Sequence, residues 1–255
     1  MDRLENIKHV IEYLLADKDF GWQIPSNLVE CQRLMRALMN IWEPRSISPE
    51  FLVMQDAELA LQREEKGVVT TSDISPHTSD IMLWQGDITC LQVDAIVNAA
   101  NAQALGCWSP LHNCIDNCIH SAAGIQLRKA CADIMQGRLL KTGEAFITKG
   151  YNLPAKHVIH TVGPIIESGC PSQEQEEELA RCYRSCLELA EESHLASIAF
   201  CCISTGVFHF PNERAAEIAI ETVRAYPRKS VKTVVFNVFL DKDYDIYSKL
   251  LAPLR

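Results

Sequence analysis

From residue 80 onward the chain alternates between short β-rich apolar runs and longer helical patterns. No other feature restricts the fold as much. The runs are IMLWQGDI, AIVNAA, EAFITKG, HVIHTVG, SIAFCCIS and TVVFNVFL. Apolar spacing predicts helices over about 115–136, 173–193, 211–226 and 243–251. Strands that alternate with helices build layered α/β domains with a mostly parallel sheet. SIAFCCIS is apolar on both faces, as a central strand covered from two sides must be. In such sheets ligands collect beyond the C-terminal ends of strands. Three motifs fall there: GDIT (86–89), NAAN (98–101) and STGVF (204–208).

The first 66 residues follow a different rhythm. In SNLVECQRLMRALMNIW, apolar residues recur at Leu28, Cys31, Leu34, Met35, Leu38, Met39 and Trp42, the spacing of a helix whose N-cap is read as Ser26. Another helix, over about 49–65, begins near Ser48 and carries Phe51, Leu52, Leu59 and Leu61. Residues 67–79, GVVTTSDISPHTS, are small and polar and read as a linker or surface connection. The acidic run QEQEEE (173–178) sits at a helix start, where a solvated face explains it.

Charge and composition narrow the partners. A net charge of −9 disfavours non-specific binding of nucleic acid. It leaves room for a nucleotide, because backbone N–H groups can hold a diphosphate without a basic patch. No stretch reaches the length of a membrane span, and the charged N-terminus lacks the pattern of a secretory signal. The expectation is a cytoplasmic protein with no membrane contact. Eleven cysteines, an odd number, then read mostly as buried thiols. Cys182 and Cys186, four apart on a helix, are core packing on this reading.

Each motif has a structural and a functional reading. In STGVFHFP, a strand runs into a turn and a helix starts near Pro211. Gly206 lets N–H groups approach a phosphate, or the segment is an ordinary connection. Asn101 of NAAN can bind a sugar hydroxyl or cap a turn. Asp87 of GDIT can accept from an exocyclic amine or close an Asx-turn. The segment GCWSPLHNCIDNCIH (106–120) offers more. Cys107, His112 and Cys114 form Cys-x4-His-x-Cys, with ligand types that zinc prefers and a fourth position left open. Spacing alone leaves a metal site and a merely thiol-rich loop both possible. Cys118 and His120 fall in the following helix and read as a core thiol and a hydrogen-bonded structural histidine. Asp116 is either a general base or a helix cap. No GxSxG elbow, GxxxxGK[ST] loop or GxGxxG fingerprint is present.

Taken in order, GDIT, VDAIVNAAN, IHSAAG, TGEAFITKGYNLPAKHVIHTVGP and ISTGVFHFP closely resemble the macrodomain family, which binds ADP-ribose. The resemblance covers about 80–250. It implies a three-layer α/β/α domain with a mixed, mostly parallel sheet, over 71–255, preceded by a helical N-terminal extension over 1–70. Many hydrolytic macrodomains carry a run of glycines after NAAN. Here the loop is longer and reads GCWSPLHNCIDN, which resembles the zinc-dependent branch. That resemblance implies a zinc ion on Cys107, His112 and Cys114. It likewise implies that Asp87 and Ile88 meet adenine, that Asn101 contacts the distal ribose, and that Asp116 takes part in catalysis. Ser204, Thr205, Gly206, Val207 and Phe208 match the loop that holds the diphosphate. The implied activity is zinc-dependent hydrolysis of mono-ADP-ribose from protein side chains. A non-catalytic ADP-ribose reader and an O-acetyl-ADP-ribose deacetylase are the alternatives. Relatives of this branch accompany a sirtuin-like ADP-ribosyltransferase and a lipoyl-carrier protein, which implies such a carrier as substrate.

Overall fold

A computed structural model describes residues 2–16, 23–77, 80–167 and 169–252. The apolar spacing at the N-terminus becomes α1 (Arg3–Leu15), α2 (Leu28–Asn40) and α3 (Pro49–Lys66). Ile7, Val10, Ile11 and Leu14 form one stripe of α1, buried together with Cys31, Met35 and Leu38 of α2 and Phe51 of α3. Each large apolar side chain so buried contributes about 1.5–3 kcal/mol. The cap of α3 is Ser48, whose Oγ accepts from Phe51 N at 3.1 Å. The cap of α2 is Asn27 rather than Ser26. Its Oδ1 accepts from Glu30 N at 2.9 Å, and its amide donates to the Glu30 carboxylate at 2.7 Å.

Residues 67–79 do more than connect. β1 (Val69–Thr70) pairs in parallel with β3 (Leu91–Gln92), a 3-10 turn follows at Thr71–Asp73, and Pro76 bridges to Met82. The pairing partner lies about twenty residues on, so local composition could not announce it.

The main sheet contains β2 (Ile81–Gln85), β4 (Ala95–Ala99), β5 (Ala145–Lys149), β6 (His157–Thr161), β7 (Ser197–Phe200) and β8 (Thr233–Val238). Their order is β2-β8-β7-β4-β6-β5, all parallel except the β5–β6 pair. Ile198, Ala199 and Phe200 of β7 are fully buried, as a strand covered on both faces requires. α4 (Ile115–Ala123) and α5 (Ile125–Met135) cover one face of the sheet. α6 (Gln173–Glu192), α7 (Asn212–Ala225) and α8 (Asp241–Leu251) cover the other. The architecture is the three-layer α/β/α expected. Cys182 and Cys186 are fully buried thiols on α6 and form no disulfide.

The continuous helical pattern over 115–136 is in fact cut at Gly124. Its φ is +96°, and an added Cβ would lie 2.7 Å from the Gln55 amide. Gln55 reaches in from α3 and accepts from Ile125 N at 3.0 Å. The break falls at the glycine, and the extension supplies the acceptor for the first N–H beyond it. Among the described residues, no helix is long and apolar enough to cross a membrane.

Candidate active site

β2, β8, β7 and β4 are neighbours and parallel, so their C-terminal ends lie along one edge of the sheet. GDIT, NAAN, STGVF and the residues after β8 are gathered there by topology.

The centre of this edge is Asp116. It lies in the first turn of α4 and is 5% exposed. Asn98, buried within β4, donates from Nδ2 to Asp116 Oδ1 at 2.8 Å. Asn101, just beyond β4, donates to Oδ2 at 3.2 Å. Both carboxylate oxygens are thus held by the two asparagines of NAAN. The helix-cap reading of Asp116 does not stand: the cap is Cys114, whose Sγ accepts from Asn117 N at 3.5 Å. Burial pushes the Asp116 carboxyl up to about 6, against the opposing pull of Asn98, the Arg128 charge and Asn101. A carboxyl poised there can hold or release a proton near neutral pH. Asn101 also has a turn-capping role, since its Oδ1 accepts from Gln103 N and Ala104 N.

Asn98 went unassigned in the sequence. It donates as well to His160 Nδ1 at 3.2 Å. That makes Nδ1 an acceptor and places the ring proton on Nε2, which faces Thr148 Oγ1 at 3.0 Å. His157, three residues earlier, points to the other face and meets Asp94 O. The expectation for His120 is corrected: it is buried, but neither ring nitrogen has a hydrogen-bond partner. Its Nε2 lies 3.6 Å from Asp116 Oδ1, and burial holds its pKa well below the usual value, so the two form no ion pair. His120, Cys131 and His160 cluster in the core. Both nitrogens of His160 are already committed, which leaves it no lone pair for a metal.

The loop between β4 and α4 brings Cys107, His112 and Cys114 together. Their ligand atoms all lie within 4.8 Å of one another, and Cys107 Sγ is 3.6 Å from His112 Nδ1. Sulfur and nitrogen on a tetrahedral zinc stand about 3.5 Å apart. Donor types and spacing therefore fit that ion, with one position left for a water or substrate oxygen. Gly106 explains the tight entry to this loop: φ is +81°, and a Cβ there would meet the His120 ring at 2.8 Å.

The N-terminal extension braces the same loop. Arg36 of α2 donates to His112 O at 2.9 Å and to Asn117 Oδ1 at 3.0 Å. Asn40 Oδ1 accepts from Leu111 N at 2.9 Å and so steadies a residue at φ +59°. Arg128 of α5 donates to Asn40 O, Trp42 O and Cys107 O, and its guanidinium lies 4.1 Å over the Trp108 ring. Cys118 faces this contact rather than the core. It is half-buried, with Sγ 3.8 Å from Arg36 Nη2. None of these partners is within reach of a motif search, because 76 residues separate Arg36 from His112.

STGVF forms an exposed turn after β7. Ser204 has φ +65° and is 6% exposed, and Thr205 Oγ1 donates to Cys202 O. Gly206 and Val207 face solvent. Among the described residues, the N–H groups of Gly206, Val207 and Phe208 have no acceptor, while His209 N returns to Gly206 O. Phe208 is half-buried against the core, and its carbonyl accepts from Ile166 N. Successive unpaired N–H groups form a concave anion cradle.

Asp87 caps the 3-10 turn at Ile88–Cys90. Its Oδ1 accepts from Thr89 N and Oγ1, and its Oδ2 from Lys66 Nζ at 2.9 Å. Burial pushes its pKa up, but Thr89 and Lys66 outweigh this and leave it below the usual range. Ile88 is buried in the core at 4% exposure, so its side chain is packing. Phe239, just beyond β8, was not singled out from sequence. It is 71% exposed, and Gly86 N bonds the preceding Val238 O at 2.9 Å, so an exposed aromatic residue follows β8 where its backbone pairs with GDIT.

This fold and edge define an α/β ligand-binding domain of the Macro domain family, whose pattern matches residues 97–219. The chain belongs to that family. It is 49% identical over 262 residues to a protein-ADP-ribose hydrolase of Treponema medium, spanning 99% of this chain and 100% of that protein. A protein-ADP-ribose hydrolase of Staphylococcus aureus is 47% identical, over 98% of this chain and 97% of its own length. Among solved structures, a Trypanosoma brucei macrodomain in complex with ADP-ribose superposes with TM-score 0.66 at 32% identity, covering 85% of this chain and 95% of that one. An Oceanobacillus iheyensis macrodomain with ADP gives TM-score 0.62 at 39% identity, covering 70% and 93%.

Proposed function

We propose that this protein hydrolyses mono-ADP-ribose from modified protein side chains, with zinc at the loop before α4. The observation that carries the reading is Asp116, a buried carboxylate with both oxygens held by NAAN, beside an open three-ligand cluster. A module that merely binds ADP-ribose has no need of such a group. The full-length relatives named protein-ADP-ribose hydrolases support the same activity.

Each part of ADP-ribose would find a partner along this edge. The exposed Phe239 ring offers a stacking surface for a purine, and Asp87 an acceptor for its amine. The N–H groups of Gly206, Val207 and Phe208 would hold the diphosphate, with Ser204 and Thr205 shaping the turn. Asn101 and Asp116 would then face the distal ribose. A zinc ion held by Cys107, His112 and Cys114 would supply Lewis acidity and lower the pKa of a bound water or ribose hydroxyl. Asp116 would accept or return a proton, kept in place by Asn98 and Asn101. Most of the acceleration would come from positioning. A lipoyl-carrier substrate and a sirtuin-like transferase remain part of this proposal.

The test is release of ADP-ribose from a modified protein. Activity is expected with zinc and lost on chelation and in Cys107→Ala and His112→Ala, and Asn101→Ala weakens it. Full activity in folded, metal-free protein would refute the zinc role. Binding without turnover in the parent protein would make it a reader, and a strong preference for O-acetyl-ADP-ribose would make it a deacetylase.

A further inference from the structure

A cleft separates α2 and α3 from the metal loop and α4. Its open part, about 580 Å³, is lined from the extension by Arg33, Arg36, Glu65 and Lys66. Across from them stand Leu111 and Asn113, the two neighbours of His112. An inner cavity of about 150 Å³ shares Arg36 and Lys66, adds Arg63, and has no carboxylate in its walls.

Among the described residues, three of the four cations here, Arg33, Arg36 and Arg63, have no carboxylate partner. Glu65 is taken by Arg3, which bonds both of its oxygens. Arg36 donates to a carbonyl, an amide and a thiol, and Arg63 to Asn152 O. Among the described residues, Arg33 is exposed and makes no hydrogen bond or ion pair, while Lys66 alone of the four meets a carboxylate, Asp87. In a chain of net charge −9 this is a local reversal of sign. Positive groups in a cleft with low-dielectric walls concentrate their field on what enters.

We propose that this cleft seats an acidic segment of the ADP-ribosylated protein, one carboxylate side chain entering the inner cavity. The inference rests on the hydrolase reading, which brings a protein chain to the metal loop. A chain attached at a distal ribose beside the metal loop would pass Leu111 and Asn113, which line the same cleft as Arg33 and Arg36. Guanidinium forks match carboxylates in bidentate geometry. Met35, Met39 and Leu59 in the inner wall match the methylene stem of a glutamate. The extension thereby becomes the part of the molecule that reads the protein, while the sheet edge reads the nucleotide.

Fluorescence anisotropy on the full chain tests this with two labelled peptides, alternating Glu-Gly and Gln-Gly. The glutamate peptide is expected to bind about tenfold more tightly, with the difference shrinking at high ionic strength. Arg33→Glu, a change at an exposed position, should weaken it about tenfold, and Arg63→Gln by less. Free ADP-ribose should bind Arg33→Glu as it binds the parent. With an acidic modified protein, Arg33→Glu should raise KM and leave kcat alone. Equal binding of the two peptides, or indifference to Arg33→Glu, overturns the proposal. So does inorganic phosphate that binds more tightly than the glutamate peptide, which would make the cavity a small-anion site. The peptides need neither zinc nor ADP-ribose. Failure of the hydrolase reading therefore shows in the release assay, and failure of this one in the anisotropy.

Discussion

The metal loop and the STGVF loop stand at the same sheet edge and are built in opposite ways. The first is fastened by side chains from distant elements: Arg36 and Asn40 from α2, Arg128 from α5. The second is closed largely by its own backbone and leaves successive N–H groups unpaired. The difference matches what each loop is proposed to hold. A metal cluster needs its donors fixed before the ion arrives, and outer partners fix them. A diphosphate needs donors that are free, so a loop with its N–H groups already satisfied would have nothing to offer.

The contrast breaks first at Asp116. Asp116→Ala should lower ADP-ribose release by roughly a hundredfold to ten-thousandfold, with ADP-ribose affinity by calorimetry little changed. A rate near that of the parent would mean that the chemistry does not lie on the metal side. Next comes Arg36→Met, which removes a brace and no ligand. Zinc affinity measured against a competing chelator should fall roughly 10–100-fold. Unaltered affinity would show that the loop organises itself. Gly206→Val probes the other loop. An added Cβ at Gly206 meets nothing within 4 Å, so the melting temperature should hold. ADP-ribose affinity should drop about tenfold, because the side chain stands where a phosphate must approach. A fall in melting temperature with intact affinity would reverse this assignment.

A different kind of effect, on the fold rather than on either loop, is acid stability. Burial pushes the His160 imidazole down to about 3, so it stays neutral in the fold while the unfolded chain protonates it. Between the ordinary histidine value of about 6.5 and about 3, the unfolded state therefore binds more protons. Stability is fully present above the upper limit and is lost as pH falls through this window. His120, buried beside it and likewise held well below the usual value, acts in the same direction. Urea midpoints across a pH series should show that slope, and His160→Gln should reduce it, leaving the part due to His120.

What the sequence made legible was what is local in it. NAAN, the Cys-His-Cys loop and STGVF each occupy a few consecutive residues, and the alternation of strands and helices told where they would meet. What it hid was long-range. Asn98 looked like a strand residue, and its part in holding Asp116 depends on α4 folding back over β4. Arg36 and Asn40 read as polar positions on an amphipathic helix. Cys118 was assigned to the core because the sequence does not reveal that the extension leaves a cleft beside α4. Phe239 sat inside an apolar run, where nothing marks the residue at which a strand stops and exposure begins.

Ile125 carries a consequence of its own. It opens α5, whose Leu127, Cys131 and Met135 belong to the core of the main domain, yet its own side chain is buried among those of α1, α2 and α3. Gln55 holds its backbone as well. A chain cut after α3 would lose the wall around Ile125, the acceptor on its N–H and two braces of the metal loop together. The extension is in this sense a graft whose tissue has joined that of its host: what grows on one side of the seam is fed from the other.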